Sequence, residues 1–254
     1  MNLIHFILKH RNKSFVLISI ILCVFVSLAF YFLKLPFWLT VIVNIILILT
    51  VYVFVTNCFL MLYKKPLAEL NDNCDPYPIL ELTERVLTYD TPKELRNFYL
   101  IYYVSALSAV GEHQKALGVL NSVKIDEIPL QSYKVVYYFN FMAILCRLRN
   151  YDEAKHLYPE FIKSLSETKN QKQQQSFAGI AAFAEIIKSV CDEEYDKALQ
   201  LLGNYKCENN RDKLSVAMYY AEVYLALNEK EKAKENLEYI IENGNKLYCV
   251  TEAR

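Results

Sequence analysis

The stretch Ala29–Thr40, AFYFLKLPFWLT, interrupts an apolar run that extends from Ser14 to Tyr63. The 49 residues from Phe15 to Tyr63 would reach roughly 73 Å as one helix. A bilayer core is only about 30 Å thick, and tilt does not absorb such an excess. Divided at Lys34-Leu35-Pro36, the run gives two segments, Phe15–Leu33 and Phe37–Tyr63, each long enough to cross. Lys34 is the only charge between Lys13 and Lys64, which places it at an interface. Pro36 cannot continue a preceding helix without losing a hydrogen bond, but it suits the first turn of a new one. Tyr31 and Trp38 flank the break, as aromatic residues do at headgroup level. The stretch reads as the tight turn of a two-span hairpin.

The flanking charges set its orientation. Lys9, Arg11 and Lys13 precede the first span and Lys64 and Lys65 follow the second, against Lys34 alone at the turn. The positive-inside rule then puts both ends in the cytoplasm of a cell-membrane protein with two spans. The competing reading is a signal peptide cleaved near Ser27-Leu28-Ala29. It ranks below the hairpin because a second apolar run follows at once. Within the hairpin, Ser19, Cys23 and Ser27 recur every four residues and so share one helix face, where small side chains allow close approach. Folding the chain about Leu35 and Pro36 brings Ser27 level with Asn44 and Ser14 level with Asn57. Two readings stay open for Asn44: a hydrogen bond to Ser27 across the hairpin, or a contact with its own backbone or a second copy of the chain, which would make the hairpin a homo-oligomer interface.

The formal net charge is zero but unevenly spread. Residues 1–65 carry six basic side chains and no acid, and the remaining 22 Lys/Arg against 28 Asp/Glu leave the body at −6. That body lacks the basic footprint of a nucleic-acid binder. Five glycines and seven prolines favour long helices over a turn-rich β fold. The seven scattered cysteines include no C-x-x-C pair, so free thiols in a reducing compartment are expected, with no metal site. None of the four histidines has a partner at motif spacing, and no phosphate loop, dinucleotide fingerprint or nucleophile elbow occurs. No enzyme activity and no cofactor is expected.

After a linker at 64–76, apolar residues from Tyr77 to the chain end at 254 recur at helical spacing, interrupted by polar breaks that resemble one another. They read GEHQKAL (111–117), NYDEAK (150–155), EYDKAL (194–199) and NEKEKAK (228–234). The marker alanines Ala116, Ala154, Ala198 and Ala233 lie 38, 44 and 35 residues apart, a spacing typical of helical repeats. Pro129 lies in a segment that lengthens the first connection, and the polar insert SETKNQKQQQ (166–175) lengthens the second as a surface loop. Thr91-Pro92-Lys93-Glu94 reads as a capping box opening the array. A helix over 78–89 would cover its first end, Asn243-Gly244-Asn245 would stop its last repeat helix, and 246–254 reads as the start of another.

From Asn97 to Asn243 the chain resembles the tetratricopeptide repeat family, whose unit is a pair of antiparallel helices with Ala early in the second. Ile186 departs from that pattern, standing where a small residue is usual. The resemblance implies an α-solenoid of tetratricopeptide-like helix pairs, so that with the two-helix transmembrane hairpin before it the expected fold is all-α. It also implies a concave groove lined by the first helix of each pair. Carried onto this chain, the groove positions are Phe98, Ile101 and Ser105; Val136, Phe139 and Ala143; Ile180, Phe183 and Ile187; and Ser215, Met218 and Glu222. The family's carboxylate-clamping Lys and Asn are absent. A mostly apolar groove of this kind suits a partner protein's peptide or amphipathic helix, and the same positions also suit simple core packing. The expected function is a membrane-anchored adaptor or scaffold. The alternative is a non-catalytic subunit or regulator of a membrane complex that works through the hairpin.

Overall fold

The computed structural model describes residues 3–89, 93–128, 130–168 and 171–254, without the side chains of Thr56, Lys93, Glu94, Leu95, Gln171, Lys172 and Gln173. The described residues form fourteen α-helices and one short 3-10 turn, with no strand. They divide into two compact units, 1–65 with 85–91 and 66–84 with 92–254.

In the first unit a short α1 (Leu3–Lys9) leads into α2 (Arg11–Phe32), and the long α3 (Phe37–Asp72) follows. Both α2 and α3 are long and apolar enough to cross a membrane, with mean hydropathies of 2.8 and 2.6 over an 18-residue window of each. The turn between them is a Schellman motif. Leu35 donates its N–H to Phe30 O, Lys34 donates to Tyr31 O, and Lys34 adopts a left-handed φ of 53°. That pair of bonds satisfies carbonyls that a helix end leaves orphaned. Pro36 then stands immediately before α3 and its carbonyl accepts from Leu39 and Thr40. The helices face each other in the register set by this turn: Phe15 meets Tyr52 edge-on at 6.0 Å, and Asn44 Nδ2 donates to Ser27 Oγ at 3.0 Å. Ser19 is buried and Cys23 and Ser27 are half-buried, while Leu17, Ile20, Ile21, Val24 and Phe25 stand exposed. Asn57 does not reach Ser14; its amide turns to Val53 O of its own helix at 2.8 Å.

Helix α3 does not stop at the membrane-proximal lysines. It runs through Pro66 to Asp72, where a linker was expected. A proline removes one intrahelical bond, but Leu70, almost fully buried, keeps an inward-facing position on the continued helix. The break falls instead at Asn73–Pro76, where Cys74 takes φ 54°.

The second unit holds the remaining helices. Helix α4 (Tyr77–Leu87) precedes four consecutive pairs: α5 (Lys93–Ala109) with α6 (His113–Ser122), α7 (Gln131–Arg147) with α8 (Tyr151–Ser166), α10 (Ala178–Cys191) with α11 (Tyr195–Asn204), and α12 (Asn210–Ala226) with α13 (Lys230–Asn243). Each first helix packs most extensively on its own second helix, and neighbouring pairs stack on one another. The four intra-pair turns are the same object. In each, one N–H reaches back five residues: Glu112 to Leu107 O, Asn150 to Leu145 O, Glu194 to Ser189 O and Glu229 to Tyr224 O. In each, the preceding residue is left-handed: Gly111, Arg149, Glu193 and Asn228, with φ of 88°, 58°, 60° and 62°. The marker alanine follows five residues later every time, and all four are buried. Closely packed helices leave no room there for a longer side chain.

Two connections differ from expectation. The polar insert contains a helical turn, α9 (Gln171–Ser176), so it is not wholly loop. The first connection holds a 3-10 turn at Ile125–Glu127. Thr91 and Pro92 of the capping box, the side chain of its Glu94, and Pro129 lie outside what is described. Helix α4 meets α5 through a hydrogen bond from Tyr103 Oη to Glu84 at 3.1 Å. At the opposite end, Asn245 and Lys246 bond to Asn73 O and Cys74 O, and Asn210 bonds to Asp72 O.

Candidate functional site

The first helices of all four pairs converge on one cavity of about 120 Å³, enough for several water molecules. Six of the positions named from sequence line it: Ser105, Phe139, Ala143, Phe183, Ser215 and Met218. These come from four different helices, and they meet because each pair repeats the same turn and so presents the same face. Phe139 and Phe183 stack edge-on at 6.3 Å, and Phe183 continues onto Tyr219 at 5.4 Å.

The other named positions are elsewhere. Phe98, Ile101 and Ile187 are buried and serve as core, Phe98 against Tyr102 and Tyr133 at 4.6 and 4.5 Å. Val136 and Ile180 are half-buried and lie off the cavity. Glu222 opens onto a neighbouring recess with Arg147, Arg149 and Glu252, and its carboxylate is already engaged. It accepts from Arg147 Nη1 and from Tyr151 Oη, both at 3.2 Å. The Arg147 guanidinium also lies 4.2 Å from the centre of the Tyr219 ring. Burial holds the Tyr219 hydroxyl far above its ordinary range, so the cation faces a neutral ring.

Sequence reasoning did not find four contributors to the cavity. Asn140, donating to Ser105 Oγ at 3.0 Å, supplies a polar floor. Arg147 and Arg211 are its only charged lining residues. The fourth is the last helix, α14 (Tyr248–Ala253), whose first turn closes one side through Leu247, Tyr248 and Cys249. Tyr248 lies against Gly111 and meets the His113 ring edge-on at 4.6 Å. Burial pushes the Tyr248 hydroxyl up to about 12, partly opposed by Arg147. Burial, reinforced by Arg147, pulls His113 down to about 4. Neither His113 ring nitrogen has a hydrogen-bond partner among the described residues. Val250, two residues further on, fills the space a side chain at Gly244 would need. Two of the five glycines therefore receive α14.

The lining combines aromatic and thioether surface with amide and hydroxyl groups and two guanidinium groups. Among the described residues no three His, Cys, Asp or Glu side chains cluster as metal ligands. No protein-family model, curated protein or solved structure matches this chain.

Proposed function

We propose that this protein is a membrane-anchored adaptor. A two-span hairpin, with both ends in the cytoplasm, holds an array of tetratricopeptide-like pairs that binds a helical segment of a partner protein. The observation that carries the reading is the convergence of four first helices, through Ser105, Phe139, Phe183 and Met218, on a single cavity. Repetition of one turn geometry supports the solenoid arrangement. The exposed apolar faces of α2 and α3 support the anchor, since surface of that extent is stable only against lipid or protein. Tethering to a bilayer raises the effective concentration of array and partner without any new contact. The alternative role, a regulator working through the hairpin, draws less support. The Asn44 side chain already donates to Ser27 within the chain, so it is partly engaged before any protein neighbour arrives.

The test is proximity labelling in cells with the full chain, comparing Met218→Glu with Ile162→Glu, an exposed position on α8. Partner labelling lost in the first and kept in the second supports the groove. Equal labelling in both removes it. Replacing the hairpin by an unrelated two-span anchor keeps the labelling if the array is the binding element. Reporters fused near residue 12 and beyond residue 66 must report the same compartment. Thiol mapping of the body should use Cys207, which is half-exposed, because Cys74 and Cys249 are buried.

A further inference from the structure

We infer that α14 occupies the partner's place: the groove selects a short helix bearing an aromatic hydroxyl and a carboxylate one turn later, and the chain's own Tyr248 and Glu252 supply that pattern in cis until a partner displaces them. The inference rests on the groove reading proposed above and names the chemistry of its ligand.

Three observations point this way. First, α14 packs on α13 of the last pair and at the same time places its first turn in the cavity. Tyr248 reaches the turn of the first pair, touching Gly111 and His113, while Leu247 and Cys249 share the lining with the first helices of all four pairs. Second, Tyr248 and Glu252 are four residues apart and so share one face of α14. Glu252 lies in the recess that also holds Arg147 and Arg149. Third, the charge left over is positive. Arg147 is paired with Glu222, but Arg149 and Arg211 have no ion pair among the described residues. Arg149 lines the recess that holds Glu252 and Arg211 lines the cavity that holds Tyr248, so the carboxylate of an incoming helix has a guanidinium to meet.

The seat is also built to be left. A four-residue connection, Gly244–Leu247, is all that joins α14 to α13. Thr251 on its outer side is exposed, and Glu252 in the recess stays open to solvent. A cis segment on a short tether competes at millimolar effective concentration, so a partner must bind well or arrive concentrated at the membrane to replace it.

The experiment uses the full chain in detergent micelles and a fluorescent peptide with the sequence of residues 246–254, its cysteine changed to serine. Anisotropy titrations compare the wild-type chain with Tyr248→Ala. The wild type should bind the peptide weakly, and Tyr248→Ala should bind it about tenfold tighter or more, as expected when a cis competitor is weakened. Peptides with tyrosine changed to alanine, or glutamate to glutamine, should lose most of that gain. A Tyr248→Ala chain with unchanged circular dichroism that binds no tighter than wild type overturns the inference, as does equal binding of the three peptides. If Tyr248→Ala does not fold, hydrogen exchange on the wild type decides: amides of 248–253 must open more readily than those of α12, and equal protection overturns the inference. If partner labelling depends on Met218 while the peptide never competes with that partner, the groove stands and only the cis-ligand reading falls.

Discussion

Tyr248 packs so closely on Gly111 that a methyl group at residue 111 would stand 2.8 Å from the tyrosine Cβ. The three equivalent turns place Arg149, Glu193 and Asn228 in the same left-handed conformation. A positive φ alone therefore does not account for glycine at 111; the approach of α14 does. Gly111→Ala combines left-handed strain with a steric clash and should cost about 2–4 kcal/mol. Asn228→Gly, at a turn of the same geometry, should stay within about 1 kcal/mol of wild type. Urea titration of both variants checks the contrast. Similar losses in the two would mean that turn strain, not the seat of α14, governs residue 111.

His113 gives this contact a pH dependence. Its folded-state pKa is pulled down to about 4 by burial and by Arg147, below the ordinary value near 6.5. Between those values the unfolded chain binds a proton that the folded chain refuses. The stabilisation is therefore fully present above about pH 6.5 and is lost as pH falls toward 4. The loss is bounded at about 3 kcal/mol. Because His113 lies edge-on to Tyr248, acid should also loosen α14. His113→Gln should flatten the stability profile between pH 4 and 6.5, measured by urea titration. An unchanged slope would assign the acid sensitivity to other groups.

What could be read ahead of the structure was local. The turn at Lys34–Pro36 fixed the register of the hairpin, because two helices of equal rise leaving one turn bring residues equidistant from it together, as Ser27 and Asn44 are. The marker alanines were visible because each follows its turn at a fixed five residues. The continuation of α3 through Pro66 was not visible, because the propensity penalty of one proline is outweighed by tertiary burial of Leu70 on the same helix. Which groove positions face the cavity was only half visible. The offsets that bring Phe139, Phe183 and Met218 together put Ile101 and Ile187 against neighbouring helices instead. The seat of α14 is a pairing between residues 111 and 248, and such a long-range contact leaves no periodicity. Its one trace was a glycine in the first turn where the other three turns carry side chains.

In the hairpin, Ser27 and Asn44 should behave as a coupled pair. Asn44 Nδ2 donates to Ser27 Oγ at 3.0 Å, while Asn44 Oδ1 is buried without a partner among the described residues. Ser27→Ala strands the whole amide and should destabilise the hairpin by about 1 kcal/mol, whereas Asn44→Leu removes both polar atoms and should cost less. A double-mutant cycle in micelles should give a coupling of about 0.6–1.7 kcal/mol. Additive effects would mean that the two side chains are not paired within one chain.

The Arg147–Glu222 pair tests how far the array's inner face depends on a buried charge. The side chains are 11% and 26% exposed, so water screens them little. Arg147 is held by one carboxylate and by the face of Tyr219, and the same carboxylate accepts from Tyr151. Glu222→Gln keeps the shape but leaves the guanidinium without a counter-charge, and should cost about 2–4 kcal/mol, toward the lower end for buried pairs because Glu222 keeps some contact with water. Replacing both partners, Arg147→Met with Glu222→Leu, removes the uncompensated charge and should recover most of that loss, since apolar isosteres commonly match a buried ion pair. Urea titration of the single and double variants reads both numbers. Recovery would also separate stability from binding: the double variant should fold but lose affinity for the 246–254 peptide, because the guanidinium available to its glutamate beside the aromatic slot is gone. A double variant that remains as unstable as Glu222→Gln would show that Arg147 contributes through its packing on Tyr219 rather than through its charge.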